Sequence, residues 1–171
     1  SLTHALVTHA WSMKETDPQR RLLFERGFEI VDTIFLEDSS DVGAAMLSSR
    51  TAAFLGILHL ANGRRDQAKE MFLRALKRRE ELVQLAPNSL ATISGSSAGI
   101  AWLGNSYSQG GQFEKAIEFY IEEARFRESL LQRGSTDGNF IKEGIRCLTS
   151  AVGLLDEHSQ FVKAAKTLSE T

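Results

Sequence analysis

Few residues in this chain have the chemistry to catalyse or to ligate. Four histidines (His4, His9, His59 and His158) and one cysteine, Cys147, are the natural starting points. The histidines form no ligand spacing of the His-Glu-x-x-His kind that sets two imidazoles on one helix face around zinc. His59 falls on an apolar face, where a packed, hydrogen-bonded core imidazole is the expectation. Cys147 also follows an apolar helical pattern, and nothing near it in sequence argues for a lowered thiol pKa. Glu122–Glu123 and the pair Glu114, Glu118 set carboxylates together on a helix surface. General-acid work would need a pocket to shift one of them, so both pairs read as solvated. Gly110–Gly111 lacks the Lys-Ser/Thr ending and the preceding strand of a phosphate loop. No catalytic set, metal site or cofactor site emerges, and the chain is expected not to be an enzyme.

Charge narrows the partners. Residues 64–82 hold seven basic side chains (Arg64, Arg65, Lys69, Arg74, Lys77, Arg78, Arg79) against four acids (Asp66, Glu70, Glu80, Glu81). A nucleic-acid face would leave that excess unopposed and interleave it with aromatics. Here acids interrupt the run and Phe72 is assigned to the core, so a solvated helix face is expected. A net charge of −2 supplies no global field for nucleic acid or an anionic membrane. No apolar run approaches the roughly 20 residues of a membrane span, and no signal peptide is visible. The lone cysteine rules out an internal disulfide and fits a reducing compartment. The expected location is cytoplasmic, with no nucleic-acid partner and no membrane.

The elements that position these residues read as helices throughout. The chain has only two prolines, both at predicted helix edges, and 42% hydrophobic residues. Leu2, Leu6, Val7, Ala10 and Trp11 recur at helical spacing. Asp17–Pro18 is a capped start for a helix to about Glu37, with Leu22, Leu23, Phe24, Phe28, Val31, Ile34 and Phe35 as its buried stripe. Ser39-Ser40-Asp41 breaks the chain and caps a helix over about 42–61. Asn62–Gly63 turns it, since both residues tolerate positive φ. A helix over about 65–86 presents Ala68, Phe72, Ala75, Leu76, Leu82 and Val83 on one face, with Glu70/Arg74 and Lys77/Glu81 as surface pairs. A helix starts at Ser89 and is kept as one piece through the weak run Ser94-Gly95-Ser96-Ser97 and Gly99. Gln109-Gly110-Gly111 turns into a helix over 113–132. The last hairpin is placed at about 139–157 and 160–170. The chain starts at Ser with no Met and its last hairpin looks clipped, so an excised piece of a larger protein is expected.

These elements repeat. Sliding residues 98–130 back by 48 sets Leu103 on Leu55, Gly104 on Gly56, Ala116 on Ala68, Tyr120 on Phe72 and Gly111 on Gly63. Sliding forward by 48 sets Phe113 on Phe161, Ala116 on Ala164 and Tyr107 on Leu155. The cap candidates Asp41, Ser89 and Asp137 keep the same period, each able to accept from the first unpaired N–H groups of a helix. The glycines and alanines let two helices approach closely, aromatics fill the wedge beside them, and neighbouring hairpins complete each core. Hairpins are placed at about 1–38, 41–86, 89–133 and 138–171, in one array over 1–171.

Leu103-Gly104, Tyr107, Ala116 and Tyr120, with Leu55-Gly56, Ala68, Phe72 and Ala75 before them, resemble the tetratricopeptide repeat. Ile100 and Ala52 stand where that pattern has Trp, and His59 where it has Tyr. The period is 48 rather than the usual 34 or so, similar to long variants common in bacterial signalling proteins. The resemblance implies an all-α, right-handed superhelix of about three and a half hairpins that binds a protein or peptide partner. It implies a concave face lined by the first helix of each hairpin: Arg50, Ala53 and Ile57, then Asn105, Ser108 and Gln109, then Arg146 and Thr149, with Leu60, Ala61, Ala98, Ala101 and Gly153 beside them. Asn105 is the most suggestive, because its amide can both donate to and accept from a peptide backbone. Ala53 and Ile57 replace the basic and amide residues of a carboxylate clamp, so an apolar peptide or another part of the parent protein suits that hairpin better. Phe54 and Trp102 are read as packing between repeats rather than as a binding stripe. Two rivals stand beside the scaffold reading: a small-ligand sensor, and a self-association module forming a homodimer through the clipped end or the Phe-rich start.

Overall fold

The computed structural model describes residues 18–90, 99–134 and 138–169, with 5, 8–10, 12–14 and 93 besides. At 18, 99, 140, 158 and 160–169 it describes the backbone alone. Leu2, His4, Leu6, Val7 and Trp11, the cap candidates Asp17 and Asp137, and the weak run 94–98 lie outside the described residues, as do the side chains of His158, Phe161 and Ala164. Every regular element among the described residues is a helix: α1 (Pro18–Glu37), α2 (Val42–Ala61), α3 (Arg65–Leu85), α4 (Gly99–Gln109), α5 (Phe113–Gln132) and α6 (Gly138–Ser169). The all-α expectation holds among the described residues. The chain forms two compact units, Ser1–Leu103 and Gly104–Thr171.

In the first unit α2 packs against both α1 and α3. Phe24, Phe28, Ala52, Ala53, Leu55 and Ala75 share one cluster, and Val31, Phe35, Ala44, Ala45 and Leu82 a second. Phe24, Phe28, Val31 and Phe35 follow the 4-3-4 spacing of a single helix stripe, so they alone of the proposed α1 stripe are fully buried. Leu22 and Ile34 lie off that line and are 57% and 37% exposed, which corrects the wider stripe. Asp41 caps α2 by accepting from the Ala44 amide at 2.9 Å. Before it, Asp38 accepts from Ser40 N–H at 3.0 Å and Ser40 Oγ–H at 2.6 Å, which closes the break after α1. Those hydrogen bonds hold the Asp38 carboxyl below its usual range.

The expectation that no segment approaches a membrane span needs correction. Val42–Ala61 is long and apolar enough to cross a membrane by length and composition, at a mean hydropathy of 1.3. The scattered polar residues Ser48, Ser49, Thr51 and His59 break its continuous runs but barely lower its mean. Helices on two sides explain the apolarity: more than half of it is buried, as befits the central helix of a helical core.

In the second unit α5 packs against α6. The predicted break near 158–159 is absent: α6 is one helix of 32 residues to Ser169. Asp-Glu-His-Ser-Gln at 156–160 contains neither Gly nor Pro, and nothing there forces the backbone out of the helical basin.

Candidate partner-binding faces

The two hairpin turns are built alike. Gly63 and Gly111 take φ of +72° and +73°, the left-handed region that Gly occupies without steric cost. Arg64 N–H reaches back to His59 O at 2.9 Å, and Gln112 N–H to Tyr107 O at 3.0 Å. Gly63 N–H bonds Leu60 O and Gly111 N–H bonds Ser108 O, both at 3.0 Å. This is the six-to-one and five-to-two pairing of a Schellman motif, repeated 48 residues apart.

The helix crossings follow the same register. A Cβ added at Gly56 would overlap the Phe72 ring, and one at Gly104 would come 2.7 Å from Tyr120 Cε1. Ala68 and Ala116 are both fully buried. Glycine on the first helix, an aromatic on the second and a small residue one turn before it are therefore one packing device used twice. Two family models, each described as tetratricopeptide repeat, match residues 49–89 and 100–122. This is a tetratricopeptide repeat protein. Comparison with curated proteins and with solved structures finds no match.

Tetratricopeptide repeats generally mediate protein–protein interaction, and proteins built from them are typically non-catalytic scaffolds. On α2, Arg50 is exposed and Ile57 half-buried, but Ala53 is only 2% exposed and sits in the cluster of Phe24, Phe28 and Leu55. Ala53 therefore presents nothing to a partner, a correction that follows from α1 packing on α2. Phe54 packs as expected, its ring 4.4 Å from that of Phe24 and beneath the Arg20 guanidinium at 5.1 Å.

On α4, Asn105 and Ser108 are half-buried and Gln109 is exposed. Tyr120 donates its hydroxyl to Asn105 Oδ1 at 2.5 Å. Asn105 therefore spends part of its acceptor capacity inside the hairpin, and its two N–H donors are what the amide offers a partner. Burial pushes the Tyr120 phenol up, so the hydroxyl keeps its proton. Beside it Tyr107 stacks on Phe119 with ring centroids 5.3 Å apart. On α6, Arg146 is held by Glu143 at 2.6 Å, and Thr149 donates to Ile145 O at 2.9 Å. Both are exposed, with polar atoms already engaged along their own helix.

Most of the two charged runs read as solvated is exposed, but three of their members are buried. Arg78 and Arg79 are 8% and 4% exposed. Arg78 donates Nε and Nη2 to Asp32 Oδ1 at 3.0 and 2.7 Å and Nη1 to Glu81 at 2.7 Å, over the Phe35 ring. Asp32 also accepts from Ser48 Oγ at 2.9 Å. One arginine thus joins α1, α2 and α3, and Glu81, assigned to Lys77, is taken by Arg78. In the second unit Glu123 is fully buried and pairs with Arg127 at 2.7 Å. A charge one turn from an apolar stripe looks solvated in a sequence; only the partner on another turn or helix shows otherwise. Glu114 and Glu118 are exposed as read, and the expected Glu70–Arg74 pair forms at 2.8 Å.

His59 is buried as expected, and its Nδ1 has no hydrogen-bond partner among the described residues. Burial holds its pKa below the ordinary value. Cys147 is buried, and burial together with nearby Glu123 pushes its thiol up, the opposite of a reactive cysteine. No group of three or more His, Cys, Asp or Glu suited to a metal occurs among the described residues.

Proposed function

We propose that the protein is a scaffold or regulatory module that binds peptide segments of a partner on the first helices of its hairpins. The observation that carries the reading is the Tyr120–Asn105 hydrogen bond. It fixes an amide on α4 before any partner arrives, which lowers the ordering cost of binding. The amide N–H donors suit a backbone carbonyl, and Ser108 and Gln109 on the next turn add further polar groups. Hairpin α2–α3 offers different chemistry, the half-buried Ile57 with Arg50 two turns before it, which suits an apolar side chain beside an acidic one. The 48-residue period favours a setting within a larger signalling protein, in the cytoplasm.

The test is a crosslinking capture from lysate with three proteins side by side: the wild type, Asn105→Ala and Ile57→Glu, each checked for helicity by circular dichroism. Loss of the same partner from either folded variant supports the proposal. Capture that neither substitution changes overturns it.

A further inference from the structure

The last helix carries a face that nothing covers among the described residues. Ile141, Ile145, Leu148, Val152 and Leu155 are 51%, 58%, 49%, 64% and 51% exposed. Their 4-3-4-3 spacing draws one straight stripe along α6, the seam of a two-helix contact. Beside the stripe lies a groove of about 550 Å³, lined from α5 by Ile121, Ala124 and Leu131 and from α6 by Ile141, Ile145 and Leu148.

The 48-residue register says what this face is for. Its positions correspond to Ala45, Ser49, Ala52, Gly56 and His59 on α2, all buried. There Ser49 bonds Ala75 O at 3.0 Å and Gly56 lies against Phe72, so α3 covers the face. On α6 the same positions carry large aliphatic side chains and no covering helix among the described residues. One difference restricts the occupant. Val152 stands where Gly56 and Gly104 receive an aromatic ring, so a second helix of the ordinary repeat type, with Phe or Tyr there, does not fit. A helix presenting aliphatic side chains does.

We infer that the occupant is α6 of a second copy, running antiparallel. Ile145 of each copy then meets Leu155 of the other, and Leu148 meets Val152. The charges along the outer flank of the stripe support this pairing. Lys142, Thr149 and Asp156 lie one residue after Ile141, Leu148 and Leu155, and all three are exposed. Antiparallel pairing sets Lys142 of each copy against Asp156 of the other at both ends, with the two Thr149 side chains at the centre. Parallel pairing would put the two Lys142 side chains on opposite flanks of the seam, and the two Asp156 side chains likewise, so that Lys142 and Asp156 would not meet. The two-fold symmetry makes the contact self-complementary and closed.

Sedimentation of the whole chain from micromolar to millimolar concentration tests the assignment. A dimer is expected. Lys142→Asp or Asp156→Lys alone weakens it about tenfold, since symmetry alters two contacts at once, and the double reversal restores it. Val152→Glu abolishes the dimer with helicity unchanged, because Val152 is largely exposed in one copy. Asn105→Ala leaves sedimentation unchanged, so failure of the peptide-binding proposal and failure of this one are separable. A wild type that stays monomeric at every concentration overturns the inference, as does a dimer indifferent to both charge reversals; either result gives the stripe to a different occupant.

Discussion

Hairpin α2–α3 places Phe72 over Gly56, and hairpin α4–α5 places Tyr120 over Gly104. The turns, the glycines and the small residues are the same in both, yet one crossing is apolar throughout and the other carries a hydroxyl with its acceptor, Asn105. The position equivalent to Asn105 is Ile57. The pair has changed together: aromatic without hydroxyl beside Ile, aromatic with hydroxyl beside Asn. A buried phenol needs a partner, so the polar residue on the first helix follows from the Tyr as much as from any ligand. The comparison separates what the repeat requires, which is shape, from what each copy is free to vary, which is polarity.

The buried charges differ in the same way. At the register shared by Arg79 and Arg127 both arginines are buried, but one turn before them stands Ala75 in one copy and Glu123 in the other. Glu123→Ala makes the second hairpin resemble the first and leaves Arg127 buried without its carboxylate. The expected loss is about 3–5 kcal/mol, the largest effect foreseen, read from urea or thermal unfolding. Replacing both residues by Leu removes the uncompensated charge and returns most of that loss. Equal losses from the single and double changes would break the comparison, since packing rather than charge would then set the difference.

Gly56→Ala and Gly104→Ala test the shared crossing. Each adds a methyl group inside an aromatic ring's contact distance, at an expected cost of about 1–3 kcal/mol for overpacking. Phe72→Leu alongside Gly56→Ala opens room and recovers part of the cost. Gly153→Ala, on α6 with no atom within 4 Å of the added carbon, is expected to stabilise slightly through helix propensity.

Shape was legible in the sequence because Gly, Ala and aromatic residues at fixed spacing leave few alternatives. Helices α2 and α5 begin and end at the predicted residues, marked by Asp41, Asn62–Gly63 and Gly110–Gly111. Partnership was less legible. Arg78, Arg79 and Glu123 read as solvated because their counter-charges, such as Asp32, lie 46 positions away or on the next turn. Ala53 read as open because burial by α1 depends on a leading helix without a clear repeat signature. The break near residue 158 rested on the period alone, with no Gly or Pro to enforce it. The Asn105–Tyr120 bond had a readable signal: a Tyr and an Asn at the register of Phe72 and Ile57.

That exchange can be moved between hairpins. Tyr120→Phe should cost about 1 kcal/mol, one buried hydrogen bond. Phe72→Tyr should cost about 1–3 kcal/mol, because its hydroxyl meets Ile57 in place of an acceptor. Phe72→Tyr with Ile57→Asn should recover much of the second loss. The coupling, taken from a double-mutant cycle on unfolding free energies, measures how far the pair acts as a unit. Additive effects would mean that the two positions vary independently.

The smallest effect concerns His59, which stands at the register of Tyr107. Tyr107 stacks on Phe119, whereas His59 is a titratable imidazole whose pKa burial holds below the ordinary value. The sign follows from proton binding. Below the ordinary value of 6.5 the unfolded chain takes up a proton at this site before the folded one does. Unfolding is therefore favoured as pH falls from that value through the lower folded pKa, and the contribution is fully present above it. His59→Tyr copies the other hairpin and should remove this part of the slope. Thermal midpoints of the two proteins between pH 7.5 and 5 provide the measurement. Parallel curves would show that the imidazole reaches solvent when it charges, and that the two turns differ in residue but not in environment.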